Sequence, residues 1–177
     1  MSGRYARGFH LMIAMAVLVL DRITKWIIAT RLTLHDGFTI IPNFFRIVHV
    51  ENPGAAFGLF SESSFQWKLT FLILFSLLAL IIVGILLWKN SQTVSATGTA
   101  LALILGGALG NLWDRVISGH VTDFLEFHIG SYYWPSFNVA DSAIVVGAFL
   151  LVADIVLAKS PKEQRELSTK YEVRRTK

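Results

Sequence analysis

Three aspartates, Asp114, Asp123 and Asp141, fall in the stretch 106–141, together with Asn111, Arg115 and Asn138. The stretch leaves one apolar segment and enters the next. Ionisable side chains at a membrane boundary are costly to keep and point to function by default. Two carboxylates close together in a poorly hydrated site cannot both ionise easily, so they share a proton. One can then deprotonate a water that attacks a peptide carbonyl, while the other protonates the carbonyl oxygen and later the departing amine. A catalytic aspartate pair at the membrane surface is the chemistry these residue types predict.

Asp141 follows Asn138 by three residues at the start of an apolar run. That spacing suits a helix N-cap with an acid in the first turn, and a helix N-terminus favours the charge a base needs. Asp123, in Val121-Thr122-Asp123-Phe124, is either the acid partner or a solvated loop acid. Asp114 competes for the same role. It sits beside Arg115, although residues at i and i+1 point apart on a helix. Spacing alone does not prove that Asp123 meets Asp141, and chemistry prefers Asp123 to Asp114 only modestly. Asn111, Asp114 and Arg115 together read as a polar network bracing the site.

Asp21 and Lys25 are four apart and predict an ion pair near the outer interface, or an Asp21 that orients a backbone or substrate group. Asn52, in Asn52-Pro53-Gly54, is a turn residue on a loop that would overhang the site, within reach of substrate. Asp154 reads as structural.

Other chemistries lack their residues. Cysteine is absent, which removes disulfides, thiolate nucleophiles and thiolate metal sites. The five histidines show no metal-ligand spacing, and neither Gly-x-Ser-x-Gly nor a phosphate-cradling glycine loop occurs, so no metal or cofactor is expected. The basic tail is short and interleaved with acids, which argues against nucleic acid. A proton relay or transporter would spread its acids through the membrane depth. A scaffold would tolerate Asp→Asn changes at 123 and 141.

The elements that must position these groups are apolar. Of 177 residues, 54% are hydrophobic and 16% charged, with mean hydropathy +0.56, which places the chain in the membrane class. One domain over 1–158 and a charged tail over 159–177 are expected. The basic start 1–8 and the apolar run from Phe9 could open a signal peptide. No small-residue cleavage site follows, however, and the run ends in Asp21-Arg22-Ile23-Thr24-Lys25-Trp26. A retained helix over about 9–29 is expected instead, with further spanning helices at about 68–88, 98–114 and 138–158. Residues 30–60 carry strand-like pieces, including Phe38–Ile41 and Phe44–Val50, and predict a small sheet outside the bilayer. A short amphipathic helix is expected near Phe60–Trp67. The aromatic-rich stretch 116–137 reads as a loop at the headgroup level. Gly106 and Gly110 have the spacing that lets helices approach closely. Four spans put both termini on one side with ten Lys and Arg residues, against six on the other. That bias orients both termini to the cytoplasm and the aspartates outward.

At these residues the chain resembles bacterial lipoprotein signal peptidase (signal peptidase II), over about 9–158. The motifs Asp21-Arg22-Ile23-Thr24-Lys25, Glu51-Asn52-Pro53-Gly54-Ala55-Ala56-Phe57, Gly106–Arg115, Val121-Thr122-Asp123-Phe124 and Phe137-Asn138-Val139-Ala140-Asp141 look like that family's blocks, in order. Together they are highly specific. The resemblance implies an α-helical membrane protein of four transmembrane helices, with an extracytoplasmic β-cradle and a short interfacial helix. It implies a catalytic pair at Asp123 and Asp141. Asp21, Lys25, Asn52, Gly54, Asn111, Asp114, Arg115, Asn138 and Ala140 would be the supporting or substrate-binding positions. The implied reaction is cleavage of diacylglyceryl-modified prolipoproteins just before the lipidated cysteine, in the bacterial inner membrane, with the site on the periplasmic side. Membrane lipids, globomycin-type inhibitors and a monomeric state complete the expectation.

Overall fold

In the computed structural model, residues 3–54 and 65–157 are described. The chain runs α1 (Gly3–Arg31), β1 (Gly37–Ile41), β2 (Phe45–Asn52), α2 (Phe65–Asn90), α3 (Ala96–Ile117), β3 (Val121–Ile129), β4 (Tyr132–Tyr133) and α4 (Val139–Leu157). Three helices, α2, α3 and α4, are long and apolar enough to cross a membrane. α1, of 29 residues, rises about 43 Å. The expected helix over 60–67 and the tail 159–177 lie outside the described residues, apart from the start of α2.

Apolar runs become helices here because helices satisfy their own backbone groups, as hydrocarbon demands. α3 is the hub and packs against α1, α2 and α4. Ser95 opens it as N-cap, its side chain accepting from Gly98 N at 3.0 Å. α2 is apolar on every side and buries almost none of its length, so its surface suits lipid. On α1 the buried residues are Ala6, His10, Ala14, Val17, Asp21, Lys25 and Ile28, a single stripe at helical period. The charged pair therefore lies on the core face of α1. The four-residue spacing does make an ion pair, and packing against α3 and α4 buries it.

Small residues set how closely the helices approach. A methyl group at Gly106 would lie 2.5 Å from Ala14 O on α1, and one at Gly110 would lie 2.5 Å from Asp21 Oδ2. α1 could not seat on α3 with a larger residue at either point.

The sheet has four strands in the order β1-β2-β3-β4, all antiparallel. Two of its strands come from the stretch expected to be a loop. The reason is non-local pairing. Phe45 faces Phe127, Ile47 faces Leu125 and Asn52 faces Val121 across β2 and β3. The acid Asp123 and the Gly-Ser turn at 130–131 lower the local strand signal, and a partner seventy residues upstream restores it. Stacked Phe45, Phe127 and Phe137 rings, with centroids 4.8 and 5.9 Å apart, line one face. An isolated bridge pairs Leu125 with Phe137, with Phe137 N donating to Leu125 O at 3.0 Å and Leu125 N to Phe137 O at 2.8 Å. That bridge carries the start of α4 to the strand bearing Asp123.

All five tryptophans are exposed. Trp26, Trp67, Trp113 and Trp134 belong to the sheet end of the bundle and Trp88 to the other, which is the placement of interface anchors. We predict that Gly110→Ala lowers the thermal midpoint in detergent, at a cost of about 1–3 kcal/mol. Gly84→Ala, whose methyl meets open space, leaves the midpoint near wild type. Equal midpoints for Gly110→Ala and wild type would show that α1 and α3 do not need this approach.

Candidate active site

The site forms where the last turn of α3, the first turn of α4, the middle of α1 and the β2–β3 ribbon converge. Asn138 is its hinge. It caps α4, and its Oδ1 accepts from Asp141 N at 2.9 Å. In return Asp141 Oδ2 accepts from Asn138 N at 3.3 Å. This reciprocal arrangement is the capping box foreseen from the Asn-x-x-Asp spacing. The two amide hydrogens of Asn138 Nδ2 go elsewhere, to Asp123 Oδ1 at 2.7 Å and to Asn111 Oδ1 at 3.2 Å. One buried amide thus touches Asp123 and Asn111 while it caps the turn that carries Asp141.

Asp123 sits on β3, 2% exposed. Its second oxygen accepts from Asn52 Nδ2 at 3.0 Å. Asn52 is held in turn by Gly54 N, which donates to Asn52 Oδ1 at 2.9 Å. Gly54 adopts φ +95°, which only glycine tolerates easily. Asp141 is part-buried and accepts from Asn111 Nδ2 at 2.7 Å. Burial pushes the Asp123 carboxyl up to about 6, and the nearby charge of Asp141 pushes the same way. The Asn52 and Asn138 hydrogen bonds and the charge of Lys25 pull against this. The structure therefore brings Asp123, Asp141, Asn52, Asn111 and Asn138 into one network.

Behind it lies a buried ionic cluster. Lys25, 1% exposed, places its Nζ 2.9 Å from Asp21 Oδ2, 2.7 Å from Asp114 Oδ2 and 3.1 Å from Asn111 Oδ1. The ammonium hydrogen-bonds Asn111, and the two carboxylates neutralise its charge as ion-pair partners, as a buried cation requires. Asp21 Oδ1 accepts from Ala140 N at 3.0 Å, giving the first turn of α4 a second cap from α1. That is the role of Ala140: its backbone donates, and its small side chain lets α3 pass close by.

Asp114 does not take Arg115 as its ion partner. Its oxygens go to Lys25 and to Arg22, both on α1. Adjacent residues on a helix face different directions, so the partner comes from across the interface. Arg115 Nη1 instead reaches Asn111 O at 3.4 Å, within electrostatic range of Asp141, Asp123 and Asp114. Asp154 stands apart near the other end of α4, where Thr97 Oγ1 hydrogen-bonds it.

Sequence reasoning passed over Arg22, although it stands directly after Asp21 in a motif already singled out. It also missed His120, whose Nε2 lies 3.5 Å from Glu51 Oε2 at the open end of the β2–β3 ribbon. Only the strand register, which pairs Glu51 with Thr122, could have revealed that contact.

A sequence profile of the family described as signal peptidase (SPase) II matches residues 13–157. The lipoprotein signal peptidase of Solibacter usitatus is 44% identical over 147 residues, 83% of this chain and 90% of that protein. The lipoprotein signal peptidase of Desulforapulum autotrophicum is 43% identical over 151 residues, 85% of this chain and 93% of that protein. Two solved structures, each described as a bacterial membrane enzyme determined by the in meso method, are 36% identical. They superimpose with TM-scores of 0.74 and 0.75, covering 84% and 86% of this chain and 88% and 95% of theirs.

The ionic cluster yields a direct prediction. Lys25→Met leaves Asp21 and Asp114 buried without their shared cation and should cost about 3–5 kcal/mol of stability. Adding Asp21→Asn to Lys25→Met should recover much of that loss, because Asp114 keeps Arg22 and no buried carboxylate of the cluster is then left without a cation. Thermal melting of the single and double variants in detergent decides it; a double variant less stable than Lys25→Met would contradict the account.

Proposed function

The chain belongs to the signal peptidase II family and is a multi-pass membrane peptidase, and from that premise we propose that it removes signal peptides from diacylglyceryl-modified prolipoproteins by aspartate-pair activation of water. The observation that carries the proposal is Asn138, which donates to Asp123 while sharing a reciprocal cap with Asp141. Such sharing suits two carboxyl groups that act on one water.

The steps follow from the two environments. Asp123, desolvated with its carboxyl pushed up to about 6, holds the proton. Asp141, more accessible, takes a proton from water. The resulting hydroxide attacks the scissile carbonyl carbon, and Asp123 gives its proton to the carbonyl oxygen. The tetrahedral intermediate then collapses. The C–N bond breaks as the proton held by Asp141 passes to the leaving amine, and a hydroxyl of the collapsing intermediate returns its proton to Asp123, which restores both carboxyl groups. Asn111 and Arg115 stand close enough to Asp141 to fix its orientation, and Asn52 and Gly54 to fix that of Asp123. Asp114, engaged by Arg22 and Lys25, braces α1 against α3 and takes no proton.

Cleavage falls just before the lipidated cysteine. This suits a site at one end of the bundle, where a diacyl chain stays in the bilayer while the scissile bond meets the aspartates. α1 completes a set of four spans in a single domain over 1–158. The Lys and Arg bias orients both termini to the cytoplasm and the aspartates to the periplasmic side of the inner membrane. The enzyme acts as a monomer without cofactor, and globomycin-type inhibitors compete for the same site.

The test is cleavage of a diacylglyceryl-modified prolipoprotein in detergent, followed by gel shift. Asp123→Asn and Asp141→Asn should each lose at least about 100-fold in rate, while folded Asp114→Asn keeps measurable activity. An active Asp123→Asn beside a dead Asp114→Asn would move the pair to Asp114 and Asp141. The pH profile gives a second check. Asp123 must be protonated, so kcat/KM should fall as pH rises past about 6. Asn52 favours the ionised form by donating to it, so Asn52→Ala should move that alkaline limb to higher pH. A limb that stays in place, or moves down, would count against Asp123 as the acid.

A further inference from the structure

Far from the aspartates, α1 and α2 leave a groove between them on the surface of α3. It has a volume of about 160 Å³ and is lined by Arg7 and Leu11 of α1, Gly84, Leu87 and Trp88 of α2, and Leu105 of α3. Arg7 is fourteen residues before Asp21, so it lies about 21 Å away along the helix, at the opposite end of the bundle. The walls are apolar apart from that guanidinium and the hydroxyl of Ser91, which donates to Trp88 O at 3.2 Å.

Arg7 has no carboxylate within ion-pair distance among the described residues, and its Nε is buried without a hydrogen-bond partner. Its guanidinium carbon sits 4.1 Å from the Trp88 ring centroid. The stacking holds the group in place, yet it leaves the in-plane N–H donors unspent. Arg4 and Lys89 are exposed at the same end, and Asp154, the acid there among the described residues, is engaged by Thr97. The rim is therefore basic, and the groove runs from it into the span. Gly84 keeps it open, because a methyl group there would meet nothing within 4 Å.

We propose that this groove binds one anionic glycerophospholipid, with its phosphate on Arg7 and an acyl chain along Leu11, Gly84 and Leu105. A phosphate accepts two parallel N–H bonds from a guanidinium, which satisfies the donors that Trp88 leaves free. The basic rim favours an anionic headgroup over a zwitterionic one. The apolar walls take the chain that enters with it. The proposal rests on α1 spanning the membrane and is independent of the aspartate chemistry, since its test reads lipid binding and not cleavage.

The experiment is native mass spectrometry of the full chain from detergent, titrated separately with dioleoyl phosphatidylglycerol and dioleoyl phosphatidylcholine. One phosphatidylglycerol should be retained at least about tenfold more tightly than phosphatidylcholine. Arg7→Gln should lose about that tenfold by removing the phosphate partner. Gly84→Leu should lose a similar amount by filling the groove, with the guanidinium intact. Arg4→Gln, on the exposed rim, should change affinity by less than about threefold. Circular-dichroism melting confirms that each variant is folded. Equal retention of the two lipids would overturn the anionic assignment. Wild-type retention in both Arg7→Gln and Gly84→Leu would overturn the site.

Discussion

The rest of the structure depends on one ammonium group removed from water. Lys25 Nζ is held by Asp21, Asp114 and Asn111. A charge in such a place is tolerated only when opposite charge and a hydrogen bond meet it. That requirement fixes α1 against α3 more firmly than apolar packing could, because sliding by one turn would strand three charges at once. It also fixes the amide of Asn111. Its Oδ1 already accepts from Lys25 and Asn138, so its Nδ2 must point at Asp141. The ion cluster thus acts on the candidate site through the orientation of one asparagine.

The polar network is otherwise built so that each carboxylate in it is treated differently. Asp21 is spent on Lys25 and on Ala140 N, and Asp114 on Lys25 and Arg22. Asp123 receives only neutral amide donors, from Asn52 and Asn138. With no cation in contact and little water, burial pushes that carboxyl to keep its proton. Three acids of one residue type therefore acquire different partners, cations at the centre of the bundle and amides beside the sheet.

Much of this was legible in the sequence because a bilayer simplifies reading. Long apolar runs gave α2, α3 and α4 to within a few residues, and the glycine spacing at 106 and 110 foretold the close approach. The Asn138–Asp141 spacing foretold the cap. What escaped depended on pairing across distance. β3 looked like a loop, since Asp123 and the turn at 130–131 weaken its local pattern, and its partner β2 lies far upstream. Asp21 and Lys25 were legible as an ion pair but not as a buried one, because four-residue spacing says which helix face they share but not what covers it. Arg22 and Arg115 could have exchanged roles on sequence grounds; only the packing of α1 on α3 separates them.

The contacts around Asp21 have a consequence for how the chain is made. Its bond to Ala140 spans 119 residues, and those of Arg22 to Asp114 and Lys25 to Asn111 span 92 and 86. Synthesis runs from α1 to α4, so the first helix emerges carrying charges whose partners do not yet exist. Until α3 arrives, Lys25 has only Asp21 beside it, and one oxygen of Asp21 stays unmet until α4 is in place. Assembly is therefore ordered from the outside in: α1 waits, part-solvated, and is sealed only by the last helix. The same event delivers Asn138 and Asp141, so the network around Asp123 closes in a single last step.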